Sequence, residues 1–384
     1  MNLTIVSLRA SNQFSVSPLV STQMNLHISK SMFSHHFSSI LYARKALTAE
    51  KTRFSHSLNS AIVLDSIQRS GKVFTSTESF GEDIEYTITS CAFYKCTSTS
   101  GSGAIKCSKL PATSTFTIEK TGFDSCSGTT GGAFELSTQK INLNNCCFRS
   151  CTATTSMAAF KCEATKEFNI NQLLVTKCHG SGTLYASCKS VALYKAPNIT
   201  NNQDTKEMAT FIGDNFALQY STLADNDVNI ALYPLATSSP QMAQLTNFIR
   251  NVGKYSITIT DQFTFHQVSF IDEKTSFAVK NDKGSYCQFR DVVTTVTKLD
   301  ATFFTQVICA NPTTGKAITQ SIIPNNEECW ALIPSNDTST GMSWKIKALI
   351  IVSVILLILV LVFIYRKTCG NKYGLSGQRL AYTL

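Results

Sequence analysis

Cysteine is the most conspicuous chemistry-bearing side chain in this sequence, with 14 in a chain of 384 residues. Three fall in CCFRSC (146–151), where thiolates could ligate zinc or act as redox nucleophiles. A structural zinc site pairs cysteines two to four residues apart and then supplies a second pair or histidines. The gap from Cys147 to Cys151 would pass, but no second knuckle follows, so no metal is expected. Paired carboxylates would suit glycoside chemistry, and the acids available are Asp225 and Asp227 around Asn226, then Asp272, Glu273 and Asp282. Asn226 is itself a corner residue, so Asp225 and Asp227 are expected in a solvated turn, and the other three acids fall in degenerate coils without a partner histidine or arginine motif. Two acids are also few for calcium, which takes several oxygen ligands. Among the histidines, His35 and His36 are adjacent and face opposite sides of any strand, while His56, His179 and His266 stand alone. HGSG (179–182) is no serine-nucleophile frame, and no glycine loop could cradle phosphate. The residues therefore predict no catalytic group and no cofactor: the chain reads as a non-enzyme.

The meaning of CCFRSC comes from its recurrence. CAFYKC (91–96) repeats its frame, TGFDSC (121–126) keeps Phe123 and Cys126, and LLVTKC (173–178) keeps Val175 and Cys178. Further on, asparagine takes the fourth position, in ITNN, LADN and FIRN, and FIDE and FRDV are degenerate copies. The apolar anchors are Phe93, Phe123, Phe148, Val175, Ile199, Leu223, Phe248, Phe270 and Phe289. Their spacings are 30, 25, 27, 24, 24, 25, 22 and 19 residues. MFSHH at Phe33 and RFSHS at Phe54 read as earlier turns. An alternating apolar pair precedes each strong anchor (Tyr86 and Ile88, Phe116 and Ile118, Ile141 and Leu143, Phe168 and Ile170). A small-residue step follows it (GSGAIKC, GGAFEL, MAAFKC). Period-two alternation argues strands, and Ser/Thr/Gly clusters argue turns. A period of about 25 residues with two or three short strands fits one coil of a parallel β-helix.

In such a fold, coils stack at about 4.8 Å and equivalent side chains form ladders. The anchors point inward, and a bend falls between anchor and fourth position. Asparagine suits that bend because it tolerates a left-handed backbone and bonds locally. Stacked cysteines come within reach of a disulfide, and the neighbouring pairs are Cys96 with Cys126 and Cys151 with Cys178. The alternative is that these are reduced, buried, small hydrophobes. Compartment decides between the two.

The GGA-φ step alternating with F-x-x-N or F-x-x-C corners resembles the repeats of chlamydial polymorphic outer-membrane proteins. It is similar also to repeat surface proteins of trichomonad-type parasitic protists, which end in one transmembrane helix. The match covers roughly residues 80 to 292, with GGAF (131–134) a full copy of the step and GSGA and MAAF variants. The resemblance implies a right-handed parallel β-helix in a surface adhesin or antigen, and it carries no catalytic residues.

Charged residues are only 15%, low for a cytosolic enzyme. ALIIVSVILLILVLVFIY (348–365) is 18 residues without a charge, about 27 Å of helix, close to the hydrocarbon thickness of a bilayer. Arg366, Lys367, Lys372 and Arg379 follow it, so the positive-inside bias places the tail in the cytoplasm. Subtracting those four charges from +9 leaves +5, unclustered, which does not support nucleic-acid binding. The expected organisation is an N-terminal region that includes early coils (1–79), coils (80–300), a cap and linker (301–347), a membrane helix (348–365) and a short tail (366–384). Cys309 and Cys329 bracket a loop that a disulfide would close over the last coil. Cys369, just past the span, is open to palmitoylation. Sequons at Asn2, Asn198 and Asn336 are glycosylation candidates.

The expected partners are the membrane and a host-cell or extracellular glycan or protein ligand, at a plasma membrane with the coils outside. Two alternatives stay open. One is a surface polysaccharide lyase or hydrolase on the same fold. The other is a tail-anchored scaffold facing the cytosol, because the opening MNLTIVSLRASNQF has an apolar run too short, and broken by Arg9, for a secretory leader.

Overall fold

The computed structural model describes residues 2–65, 84–108, 110–111, 113–204, 206–235, 241–281, 287–295, 307–310 and 329–333. The predicted membrane span at 348–365, the tail, Asn336 and Asp282 lie outside these residues. Within them, no helix is long and apolar enough to cross a membrane.

The chain winds into a parallel β-solenoid of about 11 turns. The Phe123 coil shows how its sequence does this. Thr115–Glu119 alternates, with Phe116 and Ile118 inward. A bend at Lys120 leads into Gly122–Asp124, and a second bend at Ser125 leads through Ser127–Gly128 to the strand that opens at Phe134. Further on, the last strand of one coil runs into the first of the next, as in Met157–Thr176 and Gly182–Thr200. The glycine step ahead of Phe134 has a packing cause. A Cβ at Gly132 would run into the carbonyl oxygen of Ala158 on the next coil.

The anchor column runs Ala10, Phe33, Phe54, Phe93, Phe123, Phe148, Val175, Ile199, Leu223, Phe248, Phe270, Thr294. From Phe33 to Phe148 the rings stack with centroids 4.9 to 5.4 Å apart, one strand spacing. All are fully buried, and each contributes about 1.5–3 kcal/mol of apolar burial. Phe289 is a correction. It stacks on Phe265 at 4.8 Å in a neighbouring inward column, and Thr294 occupies the anchor position after Phe270. The anchor spacing there is 24 residues instead of 19. Register, not aromatic identity, decides which column a residue joins.

Each coil turns at two residues of left-handed backbone, five apart, such as Ser90 and Lys95, Lys120 and Ser125, or Tyr220 and Asp225. None of the 23 non-glycine residues with positive φ is Val, Ile or Thr, whose branched Cβ fits that conformation worst. The second bend also corrects an expectation. The third residue of the motif is left-handed, as at Asn201, Asp225 and Arg250, and the fourth-position asparagine turns inward beside it.

Candidate functional site

The fourth-position residues form a buried corner column, and seven of them donate to the anchor carbonyl of the preceding coil, while Cys178 donates to Thr176 O of its own coil at 3.6 Å. His36 Nε2 lies 3.3 Å from Ala10 O, and the thiols of Cys96, Cys126 and Cys151 donate at 3.6 Å to Phe54, Phe93 and Phe123. Asn202, Asn226 and Asn251 do the same through Nδ2, to Val175 at 3.3 Å, Ile199 at 2.9 Å and Leu223 at 2.8 Å. Each left-handed residue costs about 1 kcal/mol or more, and a hydrogen bond beside it returns about 1 kcal/mol. The asparagines also bond to one another. Asn202 donates from N and Nδ2 to Asn226 Oδ1, and Asn226 donates likewise to Asn251 Oδ1. Glu273 ends the row by accepting both donors of Asn251, with its other oxygen taken by the Ser256 hydroxyl. Burial pushes its carboxyl up to about 7.

CCFRSC now divides into three parts. Cys146 and Cys151 are the first and second inward corners of one coil, with Cys146 donating to Ile118 O at 3.3 Å. Burial pushes the Cys146 thiol up to about 12, so it is an inert donor and not a nucleophile. Cys147, between the bends, lies in the outward column of Ala92 and Gly122 and forms a disulfide with Cys329. This overturns three expected pairings. Cys96, Cys126, Cys151 and Cys178 are free, and Cys329 is committed away from Cys309. A disulfide brings Cβ atoms to about 3.8 Å, whereas in-register neighbours keep about a strand spacing of 4.8 Å and point the same way. These thiols already have carbonyl partners.

Residues 329–333 thus form a clasp on the outer wall at the Phe93, Phe123 and Phe148 coils, instead of closing over the last coil. Ile333 packs with Ala92 and Tyr94, and Trp330 and Leu332 lie against them. Arg149, ion-paired to Asp124, lies over the Trp330 ring at 4.4 Å. Gly122 makes the approach possible, because a Cβ there would collide with the carbonyl of Cys329. The sequence signal for this partner was weak: one cysteine in the outward register position beside a glycine and an alanine in the same column.

The described acids each have a different partner. Asp225 is a bidentate partner of Arg250 at 2.7 Å, one coil on, and Asp227 is exposed. The Asp272 backbone N–H is 2.7 Å from Thr295 Oγ1. Asp204, unremarked in the sequence, is a buried carboxylate that accepts from the Gly180 N–H at 3.2 Å and from the Thr183 hydroxyl. Its desolvation raises it to about 7. Among the described residues, no group of three or more His, Cys, Asp or Glu could hold a metal ion. Of the sequons, Asn2 is exposed, but Asn198 is buried at 6%. His35 is exposed and stacks on His56 at 4.4 Å, while His36 is inward.

Outward faces carry polar ladders. Asn142 donates to Thr117 and receives from Asn169, and Asn171 donates to Asn144 at 2.9 Å. Lys161 bridges Glu135 and Glu163. No family model, curated protein or solved structure matches this chain.

Proposed function

We propose that this chain is a membrane-anchored surface protein whose right-handed solenoid works by contact: an adhesin or surface antigen that binds host-cell or extracellular glycans or proteins, without catalysis. The proposal takes residues 348–365 as its single membrane helix and the repeat surface proteins of chlamydiae and trichomonad-type protists as its kin. The observation that carries it is the Cys147–Cys329 disulfide. Thiols pair durably in oxidising compartments and stay reduced in the cytosol, which supports coils outside the cell over a tail-anchored scaffold. The contact role is supported by how the polar groups are spent. Inward ones hold the bends, while outward ones form flat, regularly spaced columns with rigid backbone support, as recognition surfaces need.

The test is impermeant biotin labelling of intact cells, followed by gels run with and without reductant. Surface labelling, with a mobility change on reduction that Cys329→Ser abolishes, is the expected result. Labelling only after permeabilisation, with no such change, would overturn the reading.

A further inference from the structure

We infer that a surface cavity of about 210 Å³ seats one neutral monosaccharide, the end residue of a glycan ligand, a reading that rests on the surface-binding role proposed above. The cavity lies where the small-residue step of the Phe93 coil meets that of the Phe123 coil. Ser100, Ser102, Lys106, Cys107, Thr130 and Glu135 line it. Its rim is stiff. The Thr129 N–H and hydroxyl both donate to Gly101 O, at 2.7 and 3.2 Å, and the Gly103 N–H donates to Gly131 O at 3.1 Å. A Cβ at Gly101 would come within 3.3 Å of the Lys106 stem, so glycine leaves that stem its room.

Four polar groups of the cavity have bonding capacity left. Ser102 is 1% exposed, and its hydroxyl has no partner among the described residues. Thr130 Oγ1 is buried and equally unpartnered. Lys106 Nζ donates to Ser100 O at 2.8 Å and to the Ser100 hydroxyl at 3.5 Å, which uses two of its three protons. Glu135 accepts from Lys161 at 3.0 Å through Oε1 alone, and its Oε2 has no partner among the described residues.

The chemistry of this set selects its ligand. Buried hydroxyls without partners are costly, and a ligand that bonds both removes that cost. Two hydroxyls that donate or accept, an ammonium that only donates and a carboxylate oxygen that only accepts match the ring hydroxyls of a sugar, each of which does both. A small anion would face Glu135 and a small cation would face Lys106, so the neutral polyol is favoured. At about 30 Å³ per water the cavity has the volume of about seven waters, room for one sugar ring. Its preformed rim loses little entropy on binding.

The experiment uses the full chain and titrates it with methyl glycosides of glucose, galactose and N-acetylglucosamine, with sodium sulfate and glutamine alongside, read by saturation-transfer NMR. At least one glycoside is expected to bind, and more tightly than sulfate or glutamine. Ser102→Ala with Thr130→Val deletes both unpartnered hydroxyls and should lower that affinity about tenfold, the equivalent of about 1.4 kcal/mol. The urea midpoint of this double variant should be no lower than the parent's, because neither hydroxyl bonds anything in the free protein. Lys106→Met, at a half-buried position, should weaken glycoside binding without unfolding the chain. Binding of no glycoside, tighter binding of sulfate or glutamine, or unchanged glycoside affinity in both variants would each overturn the site. If the double variant adheres to cells as the parent does, the site is wrong and the surface-binding role survives. If the parent binds neither cells nor any sugar, both fall.

Discussion

Replacing Asn226 with alanine tests whether buried corner hydrogen bonds, and not the aromatic stack alone, hold the coils in register. The Asn226 side chain donates at 2.9 Å to Ile199 O and to Asn251 Oδ1, and it accepts at 3.0 Å from both N and Nδ2 of Asn202. Asn202, Asn226 and Asn251 are all fully buried. Alanine would therefore strand two donors of Asn202 away from water, at about 1–3 kcal/mol each, which gives about 4 kcal/mol in total. Asn226→Cys should cost about half as much, because a thiol can reach the Ile199 carbonyl as Cys126 reaches that of Phe93. The control is Asn171→Ala on the outer wall. It removes an amide–amide bond of the same 2.9 Å length, but Asn171 is exposed, so water replaces the bond and the cost is at most about 0.5 kcal/mol. Urea titrations followed by circular dichroism measure all three. Hydrogen exchange around Ile199, Leu223 and Phe248 distinguishes local from global opening, which matters in a fold stabilised by nearest-neighbour terms. Equal costs at Asn171 and Asn226, or less than about 1 kcal/mol at Asn226, would refute the reasoning.

Asp204 should make the solenoid lose stability as pH rises. Its folded value of about 7 lies above the ordinary 3.8, so its contribution is largest when protonated and declines between about pH 4 and 7. Asp204→Asn should flatten that decline and add on the order of 3 kcal/mol at pH 8, seen in urea midpoints at pH 5 and 8. Reduction of Cys147–Cys329 should free Trp330 from Arg149 and red-shift its emission, measured in a Trp344→Phe background to silence the chain's other tryptophan. Gly122→Val should block the clasp by displacing Cys329, so that non-reducing gels lose the mobility difference that the parent shows.

Much of this solenoid was legible in the residues, because every coil repeats the same local physics. The anchors from Phe93 to Phe270 are visible as a period, since a buried column needs an apolar side chain at each turn. The alternating pairs before them mark strands by parity, and the GGA step marks where backbones approach closely. Cysteine and asparagine interchange at the corner, and the structure gives the reason: both are small, and both offer a donor to the preceding anchor carbonyl. The residue that takes the left-handed conformation was less visible, because Lys, Ser, Asn, Asp and Arg all serve there and share only an unbranched Cβ. Register slipped at Phe289, where a second aromatic column runs beside the anchors and sequence similarity does not say which column a phenylalanine joins.

The disulfide partner of Cys147 and the stacking of Tyr255 on Phe277, in register on adjacent strands with ring centroids 6.1 Å apart, were matters for tertiary structure alone. A coil's sequence dictates which side chains face inward, because that follows from parity and bends over a few residues. It does not dictate which outward side chains meet a segment 182 residues away, or which two aromatic rings come into line on the wall. Those contacts depend on how many residues each loop spends before the next strand begins, a length that varies freely because loops cost little to extend.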